Sequence, residues 1–293
     1  MKRKRASLAC SQCHQLKAKC SGGEPCTRCS TRGQSCNYSP AASDTSSSGL
    51  DRTLHAAKFT SITSSAVEAT LLDRIDKDSV QRYLEAYFDQ NDSAGRVFLH
   101  KASTLSSYHE GSLNPLLLLA LCGLGSRLIA NDRKCKDSET WMAQVESTIM
   151  SQLGEISIPR LQALTLLLHH RRMTAKRNEL WMLLSFASRM AFTLSLHMED
   201  PRLPAVQQEC NRRLMWSLYT LDSLGCGGLD ALSVCSASQI LIQLPCDDHS
   251  FSLGVVPSTA RLTASPLDKG RPEDVLAKTI RLLPVRHQVL KYA

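Results

Sequence analysis

Apolar residues recur at three- and four-residue spacing through most of the chain after residue 77. The first such segment carries Val80, Leu84 and Phe88 behind Asp78 and Ser79, whose side chains can cap a helix. The same period returns in later segments, and no regular alternation of strand and helix patterns interrupts it. The predicted helices are 78–88, 115–130, 138–153, 159–168, 178–194 and 206–224. The sequence therefore predicts an all-α domain, which we bound at 78–255.

The segments on either side of this helical region lack such a period. Residues 41–49 are small and polar, and we assign 41–77 to a flexible, serine-rich linker. Residues 256–293 carry four prolines and are predicted to form an irregular C-terminal tail. Residues 1–40 are predicted to form a separate N-terminal domain.

Positive charge is concentrated in that N-terminal domain. The chain has 293 residues and a formal charge of +8 at pH 7. Residues 1–36 hold eight Lys or Arg and one acid, Glu24, so they contribute +7 of that total. Charge confined to one end indicates a polyanionic partner there. With 43% hydrophobic and 21% charged residues, the composition excludes wholesale disorder.

The twelve cysteines are better interpreted as thiols or metal ligands than as disulfides. The chain starts with a basic, polar segment and not with the apolar run of a secretory signal. The longest apolar run, 116–124, is about half of what a bilayer span needs. Neither a secretory route nor a membrane partner is therefore expected.

Six of the cysteines form two copies of the motif C-x2-C-x6-C. A C-x2-C pair places two thiolates on one side of a turn or helix start, where they can hold one zinc ion. Each copy supplies three thiolates, and tetrahedral zinc takes four, so two ions require two bridging sulfurs. So short a segment, with few apolar residues, depends on metal to fold. The duplicated spacing disfavours the alternatives, a disulfide knot or incidental thiols. The predicted ligands are Cys10, Cys13, Cys20, Cys26, Cys29 and Cys36.

Basic side chains within and before this cluster predict binding to double-stranded DNA. A cation on a short helix can enter the major groove and donate to guanine, and further cations position the domain on phosphates. The segment has no row of aromatic residues for base stacking, which disfavours single-stranded nucleic acid. His14, beside Cys13, is excluded from the zinc ligands by its awkward position. The candidates for DNA contact are Lys2, Arg3, Lys4, Arg5, His14, Lys17, Lys19, Arg28 and Arg32.

The segment from Cys10 to Cys36 resembles the fungal Zn2Cys6 binuclear cluster of transcription factors. The resemblance rests on the cysteine spacing together with 17–20 (KAKC), 25–26 (PC), 32–33 (RG) and 36–38 (CNY). It implies two Zn²⁺ ions with Cys10 and Cys26 as the bridging sulfurs. It also implies that Lys17 and Lys19 lie on the helix that faces DNA, usually at a CGG-type triplet.

One departure from the family pattern concerns the recognition face. The family usually continues its second cysteine with a run of Arg or Lys, whereas His14-Gln15-Leu16 follows Cys13 in this chain. A histidine is mostly neutral at pH 7, so cations are missing from this face. We expect weaker or more selective DNA binding than the family norm, with Lys17 as the main candidate for base contact.

The helical region resembles the middle homology region, or fungal-specific transcription factor domain, over 78–255. The matching segments are 181–197, 209–222 and 244–251. The resemblance implies an all-α regulatory domain that holds the factor silent or senses a metabolite. The fold class expected for the whole chain is thus a small zinc-dependent Zn2Cys6 module followed by an all-α helical regulatory domain.

Other candidate chemistry is sparse. The remaining six cysteines lie between 122 and 246 without a C-x2-C pair, and we interpret them as buried or incidental thiols. The 169–172 segment (HHRR) is interpreted as a solvated helix end, and Arg212 and Arg213 as surface ion-pair partners. The sequence has no HExxH or GxSxG motif, and we predict that the protein is not an enzyme.

The function that these observations favour is sequence-specific regulation of RNA polymerase II transcription in a fungal nucleus. The basic arm at 2–5 doubles as a candidate import signal. The compact size suggests a pathway-specific regulator, such as one in a secondary-metabolite gene cluster. Expected partners are DNA with CGG-type half-sites, the transcription machinery and a possible second copy of the chain. The alternative is a zinc-stabilised interaction protein, or cofactor, that binds DNA weakly and acts through its helical domain.

Overall fold

The computed structural model describes residues 9–37, 72–89, 97–130, 136–263 and 274–292. The chain forms two compact units, residues 1–54 and residues 55–293. Within the described residues, the regular structure is helical apart from an isolated bridge between Gln243 and Arg261.

The first unit contains two one-turn helices, α1 (Ser11–Gln15) and α2 (Thr27–Thr31). Its first and last described segments are joined by Ser11, whose backbone N–H and hydroxyl both donate to the carbonyl of Asn37, at 2.9 and 3.0 Å. The interior of this unit consists of cysteine side chains in place of leucine or valine. So small an apolar core cannot offset the entropy of ordering the chain, and the unit needs a metal to fold.

The second unit is all-α in its described residues, as predicted. Six of its helices match the predicted segments, and their ends differ from the predicted ones by no more than five residues. The helices are α3 (Lys77–Phe88), α4 (Lys101–His109), α5 (Pro115–Ala130), α6 (Lys136–Ser151), α7 (Ile158–Met173), α8 (Arg177–Thr193), α9 (Ala205–Gly225), α10 (Asp248–Ser252) and α11 (Val275–Lys291), with 3-10 turns at Asp230–Leu232 and Ala237–Gln239.

The prediction of an irregular tail over 256–293 is wrong for Val275–Lys291, where α11 forms a helix of 17 residues. The carboxylate of Asp274 caps this helix by accepting from the backbone N–H of Val275 at 2.7 Å. Pro284 lies inside the helix and removes one backbone donor. Burial of one apolar side of α11 against the core, with α9 as its neighbour, compensates for that loss.

Helix α5 is central to the second unit. Its sequence is apolar almost all round, and it packs against α3, α6 and α7. Gly125 permits the close approach of α3, because an added Cβ would lie 2.2 Å from the carbonyl oxygen of Tyr83. The same core continues through Leu164 of α7, Leu184 of α8 and Trp216 of α9. None of the described helices is long and apolar enough to span a bilayer.

The interpretation of 169–172 as a solvated helix end holds for Arg172, which is exposed, but is wrong for the three residues before it. Helix α7 continues to Met173, and His169, His170 and Arg171 are buried. The imidazole Nε2 of His170 lies 3.0 Å from the hydroxyl of Ser138 on α6, and burial lowers the pKa of His170 to about 4. Arg171 forms ion pairs with three glutamates, Glu139 at 3.2 Å, Glu146 at 2.5 Å and Glu179 at 2.8 Å.

Arg212 and Arg213 do form ion pairs, but both guanidinium groups are buried, which corrects the prediction of a surface role. Glu209, one turn earlier on α9, is fully buried and accepts from Arg213 Nε at 2.9 Å. Arg213 also donates to the carbonyl of Cys246 at 2.8 Å and pairs with Asp248 at 2.6 Å. The network therefore fixes the segment before α10 against α9.

Candidate metal centre and nucleic-acid interface

The two short helices of the first unit set the positions of the C-x2-C pairs. Cys13 lies within α1, and Cys29 lies within α2. Cys26 is the N-cap of α2, and its sulfur accepts from the backbone N–H of Cys29 at 3.5 Å. The sequence folds in this way because a cap and the residue three positions later lie on the same side of the first helical turn.

The six sulfurs form two groups of four, each with ligand atoms within 4.8 Å of one another. Cys10 and Cys26 belong to both groups. The remaining members are Cys13 and Cys20 in one group and Cys29 and Cys36 in the other. This sharing is the arrangement that a pair of metal ions with two bridging thiolates requires, and it agrees with the predicted bridging role of Cys10 and Cys26.

The distances within the groups fit zinc. Sulfurs that share one tetrahedral zinc, with Zn–S bonds of about 2.3 Å, lie about 3.8 Å apart. Cys10 Sγ lies 3.7 Å from Cys26 Sγ and 3.7 Å from Cys29 Sγ, and Cys13 Sγ lies 3.7 Å from Cys26 Sγ. Four of the six cysteines are fully or almost fully buried. The donor set, its spacing and its burial therefore fit a closed structural zinc site.

Backbone hydrogen bonds and burial both change the pKa values of these thiols. The N–H of Cys29 lowers the pKa of Cys26 to about 6, which favours the thiolate form that a bridging ligand needs. Burial raises the pKa of Cys13 to about 12, so zinc must displace a proton there. The N–H of Cys26 also donates to Cys36 Sγ at 3.1 Å. Such hydrogen bonds orient the sulfurs around a metal.

His14 is not needed to complete either group, since each already holds four sulfurs. Its exclusion from the predicted ligands stays a prediction. It lies in α1 beside Cys13.

Lys17 and Lys19 do not lie on a helix, contrary to what the family resemblance implies. Helix α1 ends at Gln15, and Lys17 has a positive φ of 47°. The N–H of Ala18 then donates to the carbonyl of Cys13 at 2.9 Å, which closes the end of the helix. The chain turns here because Cys20 must return to the metal centre, so both lysines lie on the connecting loop.

The basic side chains among residues 9–37 face solvent in whole or in part. Lys17, Lys19 and Arg32 are exposed, and Arg28 on α2 is partly exposed. None of these four forms an ion pair with a carboxylate among residues 9–37. Uncompensated cations on a compact, metal-held unit suit a polyanion. The predicted basic arm at 2–5 lies outside the described residues.

Ser21 is an anchor that the sequence analysis missed. Its hydroxyl accepts from the N–H of Thr27 at 2.9 Å and from the hydroxyl of Thr27 at 2.6 Å. It thereby fixes the start of α2 and with it the position of Arg28. Serine and threonine are common in loops, so no spacing rule marks these two as partners.

The cysteines of the second unit have a different character. Five of them are buried, as expected, and Cys135 lies outside the described residues. Burial raises the pKa of Cys122 and of Cys235 to about 12. Thiols with such values are poor nucleophiles at neutral pH. Cys122 and Cys235 therefore lack the low pKa of a reactive cysteine.

Comparison with known families gives the class of the protein. Residues 8–45 match the fungal Zn(2)-Cys(6) binuclear cluster domain, which holds two zinc ions through six cysteines. Residues 84–270 match the fungal specific transcription factor domain. The chain therefore belongs to the fungal Zn(2)-C6 transcription factor family, which is a family of transcription factors and not of enzymes.

Individual relatives agree with this assignment. The chain is 25% identical over 215 residues to the Zn(2)-C6 fungal-type transcription factor FTF1c of Fusarium oxysporum f. sp. lycopersici, an alignment covering 68% of this chain and 23% of the relative. It is 25% identical over 186 residues to FTF2 of the same organism, covering 58% of this chain and 17% of that protein.

A third relative matches the N-terminal domain alone. The C6 finger domain transcription factor hasA of Aspergillus fumigatus is 54% identical over 35 residues, which are 12% of this chain and 8% of that protein. The chain thus spans less than a quarter of the length of these curated relatives. No solved structure matches the chain.

Proposed function

We propose that this protein is a zinc-dependent, sequence-specific DNA-binding regulator of RNA polymerase II transcription that acts in the nucleus. The observation that carries the proposal is a rigid six-cysteine unit with exposed cations on its surface. Family membership supports the same conclusion.

The expected contacts divide into two kinds. Lys17 is exposed on the loop directly after α1, two residues past the end of that helix. We assign it the base contact, because an amino group can donate to guanine O6 and N7 in a CGG-type half-site. Lys19, Arg28 and Arg32 are assigned to phosphates, which fix the register of the unit on the duplex.

The basic arm at 2–5 is proposed as an additional phosphate contact and import signal. His14 is proposed to lie at the same interface, where its neutral form adds little to the charge. A second copy of the chain, the transcription machinery and a secondary-metabolite gene cluster as the target remain predictions from the sequence.

Selection of bound sites from random duplex DNA, with the full zinc-loaded chain, tests the proposal. An enriched CGG-type motif is expected. Lys17→Ala should reduce affinity for that motif by roughly tenfold, the effect of one good base contact. Lys278→Ala, a lysine exposed on the second unit, is the matched control and should leave affinity unchanged. Enrichment of no motif, with binding that only follows salt, would instead favour the zinc-stabilised interaction protein.

A further inference from the structure

Helix α11 leaves an apolar stripe exposed on the side turned away from the core. Leu276, Ala277, Ile280 and Leu283 are buried. At about 100° per residue, the opposite side of the helix carries residues separated by three and four positions. These residues, the α11 stripe, are Val275, Lys278, Leu282, Val285, Val289 and Tyr292.

The exposure of this stripe is large. Leu282 and Val289 are each 63% exposed, and Val285 is 58% exposed. Single exposed apolar residues are ordinary on protein surfaces. Here the three follow one another at the spacing of a helix interface, on a helix whose other side is fixed against the core. This is the spacing at which an amphipathic helix presents its apolar side to a groove or to another helix.

The charges that α11 itself contributes beside the stripe are all positive, while Asp274 lies before its first residue and Asp230 near its C-terminal end. No acid occurs in residues 275–292. By the same 100° period, Arg281 lies on one side of the stripe and Arg286 on the other, about 70° from its centre. Lys278 lies in the stripe itself and is exposed. Among the described residues, no carboxylate pairs with Lys278 or Arg286.

Arg286 is held in place and keeps its charge. Its Nη1 donates to the carbonyl of Ser223 at 3.1 Å, and a bond to a neutral carbonyl fixes a guanidinium group without neutralising it. His287 and Lys291, further along α11, instead pair with Asp230. The positive charge available to a partner is therefore that of Lys278 and Arg286, which lie along the first two thirds of the stripe.

We propose that the α11 stripe binds an amphipathic helix of a partner protein, with apolar residues at three- and four-residue spacing and Asp or Glu on their flanks. Flanking charges decide which helices pair. A second copy of α11 would bring its own arginines against these and repel. An anionic membrane fits less well, because Arg286 is tied to the carbonyl of Ser223 and is not free to follow lipid headgroups.

The test uses the full zinc-loaded chain and a fluorescent helical peptide of about 18 residues, with leucines at heptad spacing flanked by glutamates. A matched peptide carries lysines in place of the glutamates. Fluorescence anisotropy should show binding of the glutamate peptide, roughly tenfold tighter than that of the lysine peptide. The double variant Val285→Asp/Val289→Asp should lose at least roughly tenfold in affinity, as an interface core would.

Two further variants test the role of charge and control for the loss of an exposed apolar side chain. Lys278→Glu should weaken binding of the glutamate peptide and improve binding of the lysine peptide. Met182→Asp on α8 changes an apolar residue that is 72% exposed elsewhere, and it should bind like the unaltered chain. Thermal unfolding checks that the double variant is folded, and if it is not, Lys278→Glu decides alone.

Several results would overturn the proposal. These are no binding of the glutamate peptide, equal binding of the two peptides, or an equal loss in Met182→Asp. Sedimentation showing a dimer that the double variant abolishes would assign the stripe to a second copy. If the chain binds vesicles containing phosphatidylserine more tightly than it binds the glutamate peptide, the stripe would be assigned to a membrane.

Discussion

The sulfurs of Cys10 and Cys26 lie 3.7 Å apart, and each of them belongs to both four-sulfur groups. This sharing makes the two halves of the first unit interdependent. Neither group can be completed without the first cysteine of the other half.

Removal of a shared sulfur should therefore differ from removal of a terminal one. Cys26→Ala leaves three sulfurs in each group, and we expect loss of both zinc ions and unfolding of the first unit. Cys20→Ala leaves the group of Cys10, Cys26, Cys29 and Cys36 intact, so one ion should stay bound. Elemental analysis of the purified variants gives the zinc content per chain. Two ions retained in Cys26→Ala would contradict the shared arrangement.

The close approach of α3 and α5 depends on Gly125. A methyl group there would lie 2.2 Å from the carbonyl oxygen of Tyr83, which is backbone and cannot rotate away. Gly125→Ala should therefore destabilise the second unit by about 3 kcal/mol, the upper part of the range for overpacking. The natural control is Gly154→Ala, where nothing lies within 4 Å of the added carbon. Urea unfolding followed by helical circular dichroism measures both, and equal midpoints would show that α3 simply moves aside.

The metal centre was predictable from the sequence because its ligands are close together in the chain. Spacing alone fixes which cysteines share a turn, and a count of sulfurs implies two bridges. The positions of Lys17 and Lys19 were not predictable in this way. They depend on where α1 ends, and that is decided by the return of Cys20 to the metal and not by helix propensity.

In the second unit, most of the long helices were predictable from periodicity. Helices α4 and α11 and the burial of residues 169–171 were not. Helix α4 is short and rich in serine, so it shows little apolar period. The helix α11 tolerates Pro284 because its buried side supplies stabilisation that a local rule ignores. His170 is buried by Ser138 and Glu139, which lie on another helix. A local pattern cannot identify such distant partners.

The buried ion pairs of α9 should respond asymmetrically to substitution. Glu209 is fully buried and faces both Arg212, at 3.4 Å, and Arg213, at 2.9 Å. Glu209→Gln leaves two buried guanidinium groups with less compensation and should cost about 3 kcal/mol in the free energy of unfolding. The surface pair of Asp200 and Arg202 offers a comparison, and Asp200→Asn should cost much less than Glu209→Gln. Denaturant midpoints at pH 7 compare the two variants. Similar losses of stability in both would argue against burial as the cause.

The last prediction concerns the pH dependence of stability and follows from His170. Burial, helped by the nearby positive charges of Arg171, Arg127 and Lys176 and opposed by Glu139, lowers the pKa of this imidazole to about 4 from 6.5. Above pH 6.5 the histidine is neutral whether the chain is folded or unfolded, so its contribution to stability is fully present there. As the pH falls below 6.5, the unfolded chain binds a proton that the folded chain refuses, and unfolding becomes more favourable.

The second unit should therefore lose stability between pH 6.5 and about 4 through this residue, by about 1 to 3 kcal/mol in all. His170→Gln removes the titration and keeps a partner for Ser138, so the difference between the two proteins should shrink as the pH falls through that window. His109→Gln, at an exposed position on α4, is the matched substitution and should leave the pH dependence as it is. Denaturant unfolding at a series of pH values measures all three chains, and parallel curves for the unaltered chain and His170→Gln would refute the assignment.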